Sequence, residues 1–134
     1  VVRASRLALD EGVYYAHFLI LGGYGDTREN VRETIENSRR MEYTVMFPYA
    51  GMRIYPHTRL AELAAKEGAI GRDDDLMAPS YYISRDFDLE EVRRAALATG
   101  KAWVFPDDPQ SALADTLRLE RNKKGPLWEY LRKP

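Results

Sequence analysis

The sequence predicts a mixed α/β fold, because a buried-strand pattern, a glycine-rich turn, an amphipathic helix and a second strand follow one another. Residues 13–21, VYYAHFLIL, form an unbroken apolar run, as a strand buried on both faces of a parallel sheet requires. Residues 22–27 hold three glycines, and residues 28–41 have helical apolar spacing. Residues 43–47, YTVMF, read as the next strand. Together they predict a βαβ unit with parallel strands and a right-handed crossover.

The start of the chain reads as the interior of a larger protein. Residues 1–11 have the broken apolar stripe of a helix end, and Gly12 stops that helix. The sequence begins at Val1 without a methionine, already inside the helical pattern. We therefore expect the chain to be the C-terminal part of a longer polypeptide.

The remaining segments alternate between loops, helices and short extended pieces. Thr27 or Asp26, then Thr58 and Asp88, are predicted to begin helices, because their side chains can accept hydrogen bonds from free backbone N–H groups. Glu91 follows Asp88 at capping-box spacing. The predicted loops are residues 48–56 and 71–80, the predicted helices are 59–67, 88–99, 109–122 and 127–133, and the predicted extended pieces are 81–84 and 102–105.

Composition excludes several classes of function. The 134 residues carry a net charge of -1, which gives no electrostatic case for nucleic acid or an anionic membrane. The chain has no cysteine, so it forms no disulfide, thiolate nucleophile or cysteine-bound metal site, and its two histidines do not favour a zinc site. No apolar run reaches the ~20 residues of a membrane span, and no signal peptide is visible, so we expect a cytoplasmic protein.

Candidate ligand contacts lie in the two loops that follow the predicted strands. Ligands of parallel α/β folds bind at the carboxyl ends of the strands, which here are followed by residues 22–27 and 48–57. A glycine-rich turn that opens a helix can hold an anion on free N–H groups. The turn lacks the lysine of a phosphate loop and is not G-x-G-x-x-G, so it is either a structural tight turn or a ligand cradle.

Three stretches in order carry a resemblance to a known family. FLILGGYGDTRENVRETI resembles the fifth strand and following helix of radical S-adenosylmethionine (SAM) enzymes, where the strand runs into a G-x-P-G-E-T turn. YTVMFPYAGMRIYPHTRLAELAAKEGAI is similar to the sixth strand and its R-I-Y-P-G-T-x-L segment. DDDLMAPSYYIS resembles the segment that follows in members with an upstream cobalamin-binding domain. The resemblance covers residues 1–86.

The resemblance implies a parent enzyme and a fragment that is inactive alone. Family members form a partial barrel of six β/α units, bind a [4Fe-4S] cluster through three cysteines near the first strand, and cleave SAM reductively to a radical. By pattern the chain is similar to iron–sulfur oxidoreductases of the anaerobic magnesium-protoporphyrin monomethyl ester oxidative cyclase type, and cobalamin in the parent is an expectation. Residues 1–86 would be the end of the partial barrel and residues 87–134 a helical extension packed on it.

The expected partners follow from the same resemblance. They are the missing N-terminal part of the parent chain and a small-molecule substrate, with self-association of the isolated fragment. The cluster cysteines are absent here, so the fragment is expected to bind no cofactor by itself and to contain no catalytic or metal-ligating residue.

The positions that match the family's motifs fall in two groups. Those expected to contribute to the SAM pocket are Leu21, Gly22, Gly23, Gly25, Asp26, Arg53 and Tyr55. Those expected to face the substrate are Tyr49 and His57. The sequence departs from the pattern at Tyr24, Asp26 and His57, where proline, glutamate and glycine are usual, and the His57 substitution predicts a less tight turn.

Each side chain also has a structural explanation. Arg53 can grip a carboxylate with two parallel hydrogen bonds or form a structural ion pair. Tyr49 and Tyr55 can line a cavity or pack on a barrel rim, and His57 can transfer protons or serve the helix start. His17, in an apolar strand, reads as a satisfied core histidine, and the aspartates at residues 73–75 read as a solvated loop.

Two other functions remain open. One is a non-enzymatic α/β interaction module, which should hide its sheet edges, so concentration-dependent association would favour the fragment instead. The other is a small nucleotide- or phosphate-binding domain that uses residues 22–27, for which tight nucleotide binding by the isolated chain is the discriminating observation.

Overall fold

The structure is a computed structural model that describes residues 1–106 and 131–132. The helices are α1 (Val2–Asp10), α2 (Arg28–Asn37), α3 (Arg59–Lys66) and α4 (Leu89–Ala98), with a short 3-10 helix at Ser38–Arg40. The strands are β1 (His17–Leu21), β2 (Val45–Ala50), β3 (Met52–Ile54), β4 (Ser80–Tyr82) and β5 (Ala102–Trp103). The helix predicted at 109–122 lies outside the described residues. Only residues 131–132 of the helix predicted at 127–133 are described.

A three-stranded parallel sheet organises the fold in the order β1-β2-β5. Strand β1 pairs in parallel with β2, from His17 opposite Met46 to Leu21 opposite Ala50, and β5 joins the other edge of β2, also in parallel. The predicted mixed α/β class and the parallel βαβ unit are therefore confirmed. Because β5 follows residue 86, the second half of the chain adds a strand to the same sheet.

The prediction that residues 13–21 are a strand buried on both faces is wrong. Strand β1 begins only at His17, and its side chains alternate in burial, with Phe18 68% and Ile20 59% exposed. Among the described residues, helices α2 and α4 supply the core on one face of the sheet, where Leu19 and Leu21 pack. An apolar run shows that the side chains on both faces of the strand are uncharged, but it does not show which face a helix covers.

The main core fills the space between the covered sheet face and helices α2 and α4. Its buried side chains are Leu21, Val31, Ile35, Met41, Met46, Val92, Ala96, Trp103 and Phe105. Burial of a large apolar side chain contributes about 1.5–3 kcal/mol, so this cluster is the main stabilising feature of the described fold.

A second layer forms beyond the carboxyl end of β2, where the sequence predicts a loop over residues 48–56 and an extended piece at residues 81–84. After Gly51 the chain continues as β3 and pairs antiparallel with β4, with Arg53 opposite Tyr81. Beneath this ribbon a small core of Ile54, Ala64, Leu76 and Tyr82 packs against α3. Strand β3 was missed because a three-residue strand carries almost no periodic signal, whereas β4 overlaps the extended piece predicted at 81–84.

The predicted helix starts are confirmed, with one difference at α4. Thr27 forms a capping box with Asn30, and the Thr58 hydroxyl accepts from Ala61 N at 3.2 Å. Asp88 accepts from Glu90 N and Glu91 N, at 2.9 and 3.1 Å. The Glu91 side chain does not close the predicted capping box, because it is taken by arginines of the neighbouring helix.

Glu91 joins α4 to α2 through two arginines. Its carboxylate pairs with Arg28 at 2.9 Å and with Arg32, and its side chain is only 21% exposed. We expect Glu91→Gln to lower the free energy of unfolding by about 1 kcal/mol, because a partly buried ion pair stabilises the fold more than an exposed ion pair does. The loss should shrink in high salt, as urea unfolding at two salt concentrations will show.

Glu90→Gln is the matched control for this change. Glu90 is 74% exposed and lies 3.8 Å from Arg93. It should change stability by less than about 0.5 kcal/mol. Equal losses for the two variants would show that the Glu91 contacts do not join the helices.

His17, the first residue of β1, forms a hydrogen bond with a residue of α1. Its Nε2 lies 3.1 Å from the Ser5 hydroxyl, and its ring meets that of Tyr15 edge-on at 5.5 Å. The prediction of a hydrogen-bonded, structural histidine agrees with this placement. Burial lowers the pKa of His17 below its ordinary value.

The lowered pKa of His17 predicts a pH-dependent stability. At pH values between the lowered pKa of the folded state and the ordinary value of about 6.5, His17 is protonated in the unfolded chain and neutral in the folded chain. Stability contributed by neutral His17 is therefore complete above that window and falls as pH drops through it. Urea unfolding at pH 7.5 and 5 should show this fall, and His17→Gln should remove this part of it. An identical pH dependence in the variant would contradict the assignment.

Among the helices that the structure describes, none is long and apolar enough to cross a membrane.

Candidate functional site

The two predicted loops meet at one edge of the sheet, because β1 and β2 run in parallel. Gly51, which follows β2, donates its N–H to Leu21 O at the end of β1, at 2.7 Å. This hydrogen bond holds the ends of the two strands together. A third segment closes the group: Ser84 N donates to Gly22 O at 2.8 Å, and the Ser84 hydroxyl donates to Asp26 O at 3.1 Å. The structure thus brings together the turn after β1, the start of β3 and the end of β4.

The glycines of the first turn are required by the chain's own side chains. Gly22 has φ +74°, and a Cβ added there would lie 2.4 Å from the ring of Phe87. A Cβ on Gly23 would lie 2.8 Å from the sulfur of Met52. Gly25 has φ +85°, and a Cβ added there would meet nothing within 4 Å, so it alone of the three faces open space.

The N–H groups that an anion would need are largely used within the turn. Gly23 N donates to the Asp26 carboxylate at 3.0 Å, and Thr27 N donates to the Asn30 side chain at 2.9 Å. Asn30 N donates in turn to the Thr27 hydroxyl at 3.3 Å. A carboxylate therefore already occupies the position that a phosphate would take, and its charge repels a second anion.

The carbonyl groups of the same turn keep acceptor capacity. Leu21 O and Gly22 O each accept one backbone hydrogen bond outside the strand ladder, from Gly51 N and Ser84 N. A carbonyl oxygen has two lone pairs, so one more donor can be accepted at each position. Both residues are buried, with the Phe87 ring against Gly22, and their remaining lone pairs suit an amino group better than an anion.

Arg53 is exposed on β3 with an aromatic neighbour. Its guanidinium carbon lies 4.9 Å from the centre of the Tyr55 ring, and Tyr55 is 54% exposed. Within residues 1–106 and 131–132, none of the ion pairs involves Arg53, so the structural salt bridge considered from the sequence is not formed there. The cation stays accessible to an anionic ligand.

His57 adopts a left-handed backbone conformation, which glycine adopts most easily. Its φ is +60°, and the next residue, Thr58, donates its hydroxyl to Tyr55 O at 2.7 Å while it caps α3. The expectation of a less tight turn is therefore wrong: the tight turn is kept, with a side chain in the left-handed region. The His57 side chain is exposed at this turn.

His57→Gly is expected to make the protein more stable than His57→Ala by about 0.5–1 kcal/mol. A Cβ in the left-handed region costs about 1–2 kcal/mol, of which the greater flexibility of unfolded glycine cancels part. Because both variants remove the imidazole, their difference in urea unfolding isolates the backbone effect. Equal stability would show that the turn is not strained.

Sequence reasoning missed a group of aromatic and aliphatic side chains on the exposed face of the sheet. Phe18 and Phe47 stack with ring centres 5.1 Å apart, and Phe18 and Tyr49 stack at 6.3 Å. With Ile20 beside them, these side chains form what we call the aromatic wall. Tyr49 is 39% exposed, as its predicted substrate-facing role requires. The signal was available in the odd–even alternation of strand residues, which places these side chains on one face.

Neither a metal-binding cluster in the described residues nor a similar known protein helps to identify what this site binds. Within the described part of the chain, no three His, Cys, Asp or Glu side chains gather in a way that could hold a metal ion. No protein-family model, curated protein or solved structure significantly matches this chain.

Proposed function

We propose that this chain is part of a cytoplasmic radical SAM enzyme and supplies the last strands of its barrel wall and part of its SAM pocket. The observation that carries the proposal is the parallel pair β1 and β2, whose following loops meet at one sheet edge. The three sequence resemblances fall on β1 with α2, on β2 through α3, and on the segment that contains β4. Each resembling stretch thus corresponds to one structural unit around that edge.

The uncovered face of the sheet supports the same proposal. A parallel sheet is usually covered on both faces, yet here helices cover one face and Phe18 is 68% exposed on the other. In a barrel that second face is the interior wall. The aromatic wall would then point to the substrate, and α2 and α4 would lie on the outside.

The turn after β1 fits a nucleoside better than a phosphate. Leu21 O and Gly22 O, on buried residues, each retain a lone pair that suits an exocyclic amine such as that of adenine, and Gly25, further along the turn, faces open space. The Asp26 carboxylate, held by Gly23 N, disfavours the phosphate-binding alternative. When bound in the parent, SAM supplies the radical chemistry, and the residues of this chain position its nucleoside.

The cluster and the rest of the barrel belong to the missing N-terminal part of the parent chain. This chain has no cysteine and so cannot hold a [4Fe-4S] cluster. We propose that the isolated chain is inactive, that its substrate in the parent is a small molecule, and that the parent resembles the cobalamin-binding class of magnesium-protoporphyrin ester cyclases.

Anaerobic purification of the full-length parent tests the proposal. With its cluster reconstituted and dithionite as reductant, it should convert SAM to 5′-deoxyadenosine, and this chain alone should not. Gly25→Val should raise the KM for SAM by about tenfold if the open space at Gly25 receives the nucleoside. Gly12→Val is the matched control: Gly12 also sits at positive φ with nothing within 4 Å, and it lies between α1 and the start of β1, at the opposite end of that strand. Absence of SAM cleavage by a cluster-loaded parent would overturn the proposal.

The interaction-module alternative draws on the same exposed face. An apolar sheet face can also bind a protein, so association alone does not decide between the two functions. Deoxyadenosine formation does decide, because a non-enzymatic module has no route to it.

A further inference from the structure

The thioether of Met52 packs on the turn that follows β1. Met52 is the first residue of β3, and its sulfur would lie only 2.8 Å from a Cβ at Gly23, so it rests directly on the Gly23 backbone. Next nearest to the same Cβ position, at 3.9 Å, is the Asp26 carboxylate oxygen that accepts from Gly23 N at 3.0 Å. A thioether and a carboxylate therefore contact the same glycine.

Met52 combines this contact with access to solvent. Of the four methionines in the chain, Met41 and Met46 are buried in the main core, whereas Met52 is 37% exposed and Met77 is 83% exposed. Oxidation of a side chain by a dissolved peroxide requires that the peroxide reach it, so exposed methionines are oxidised first. Met52 and Met77 are thus open to oxidation while the core stays folded, and Met52 is the one of these two that lies on Gly23.

Oxidation of Met52 would replace an apolar contact by a competing hydrogen-bond acceptor. Hydrogen peroxide transfers one oxygen atom to the thioether: the O–O bond breaks, an S–O bond forms, the sulfur gives up two electrons, and water leaves. The new sulfoxide oxygen is polar and lies within reach of the Gly23 N–H that Asp26 now accepts from. Its partial negative charge also repels the Asp26 carboxylate. Both effects favour release of Asp26 from Gly23.

We propose that Met52 is an oxidation-sensitive switch of the turn after β1. The thioether form leaves the hydrogen bond between Asp26 and Gly23 intact, and the sulfoxide form breaks it and loosens residues 22–27. The change is reversible, because a sulfoxide reductase returns the thioether while two thiols become a disulfide and water is released. In the parent enzyme the sulfoxide form binds SAM more weakly, and this consequence alone rests on the proposed function.

Two leucine variants confine the oxidation to one exposed methionine each. In Met77→Leu the exposed methionine that remains is Met52, and in Met52→Leu it is Met77, with tandem mass spectrometry to confirm the oxidised residue. After mild treatment with hydrogen peroxide, hydrogen exchange at the Gly23 amide, followed by NMR, should become about tenfold faster in Met77→Leu. That factor corresponds to the loss of one charge-assisted hydrogen bond. The same treatment should leave Gly23 exchange unchanged in Met52→Leu, and sulfoxide reductase with a thiol should restore slow exchange in Met77→Leu.

Asp26→Ala shows whether the effect passes through the hydrogen bond. When Asp26→Ala is added to Met77→Leu, Gly23 has no carboxylate to lose, so peroxide should change its exchange by less than about twofold. The Val104 amide, which donates to Met46 O at 2.9 Å within the sheet, reports on unfolding of the core. Its exchange should stay the same before and after oxidation.

Three results of these exchange measurements would overturn the proposal. They are unchanged Gly23 exchange in oxidised Met77→Leu, an equal effect of peroxide when Asp26→Ala is present, and a parallel loss of protection at Val104. Oxidation of Met52 no faster than that of buried Met46 would also overturn it. The samples contain no SAM or cluster, so the measurements succeed or fail independently of SAM cleavage.

Discussion

Gly51→Ala is expected to destabilise the protein by about 4 kcal/mol, the largest loss of any substitution considered for this chain. Gly51 has φ +76°, where a Cβ costs about 1–2 kcal/mol. The added Cβ would lie 2.5 Å from Tyr82 O and 2.7 Å from the Ile83 side chain. Backbone at that contact cannot swing away, and such overpacking costs about 1–3 kcal/mol more.

Gly25→Ala is the matched control for Gly51→Ala. Gly25 has a similar φ of +85° with nothing within 4 Å, so only the backbone cost of about 1–2 kcal/mol applies. The difference between the two variants in urea unfolding therefore measures the close approach of β4 to the β2–β3 junction. If both lose the same free energy, β4 does not lie against Gly51, and the three segments of the site do not meet as described.

Met46→Ala is expected to lower the free energy of unfolding by about 3 kcal/mol. Met46 is 0% exposed in the main core, and its strand position is paired with both His17 and Trp103. Truncation leaves a cavity between the sheet and the two helices, and the loss of a buried methionine costs about 2–5 kcal/mol. Urea or thermal unfolding measures the loss.

Met77→Ala controls for the general effect of removing a methionine. Met77 is 83% exposed, so its truncation should change stability by less than about 0.5 kcal/mol. A small loss for Met46→Ala would mean that the covered face of the sheet is not the one that carries Met46, and the exposed aromatic wall would then be misassigned.

The sequence was sufficient to predict the elements whose signals are local. Thr27, Thr58 and Asp88 begin helices because their side chains accept from nearby N–H groups, and that chemistry is visible within four residues. The parallel pairing of β1 with β2 follows from the helix between them. These features require no knowledge of distant contacts.

What could not be predicted depends on residues far apart in the chain. Only the folded structure shows that Phe87 lies over Gly22 and Met52 over Gly23, so the turn's glycines are explained by internal contacts. Burial on one face of β1 depends on where α4 packs. The sequence left Arg53 open between a carboxylate contact and an ion pair, and its stacking on Tyr55 depends on the path of β3.

Strands β1 and β2 and their loops are, in our proposal, the end of a barrel whose metal-binding part lies elsewhere in the same polypeptide. Sequencing the reading frame that precedes the Val1 codon tests this most directly. We predict an in-frame C-x-x-x-C-x-x-C upstream, near the first strand of the same barrel. An upstream frame that encodes no such cysteine triplet would contradict the proposal.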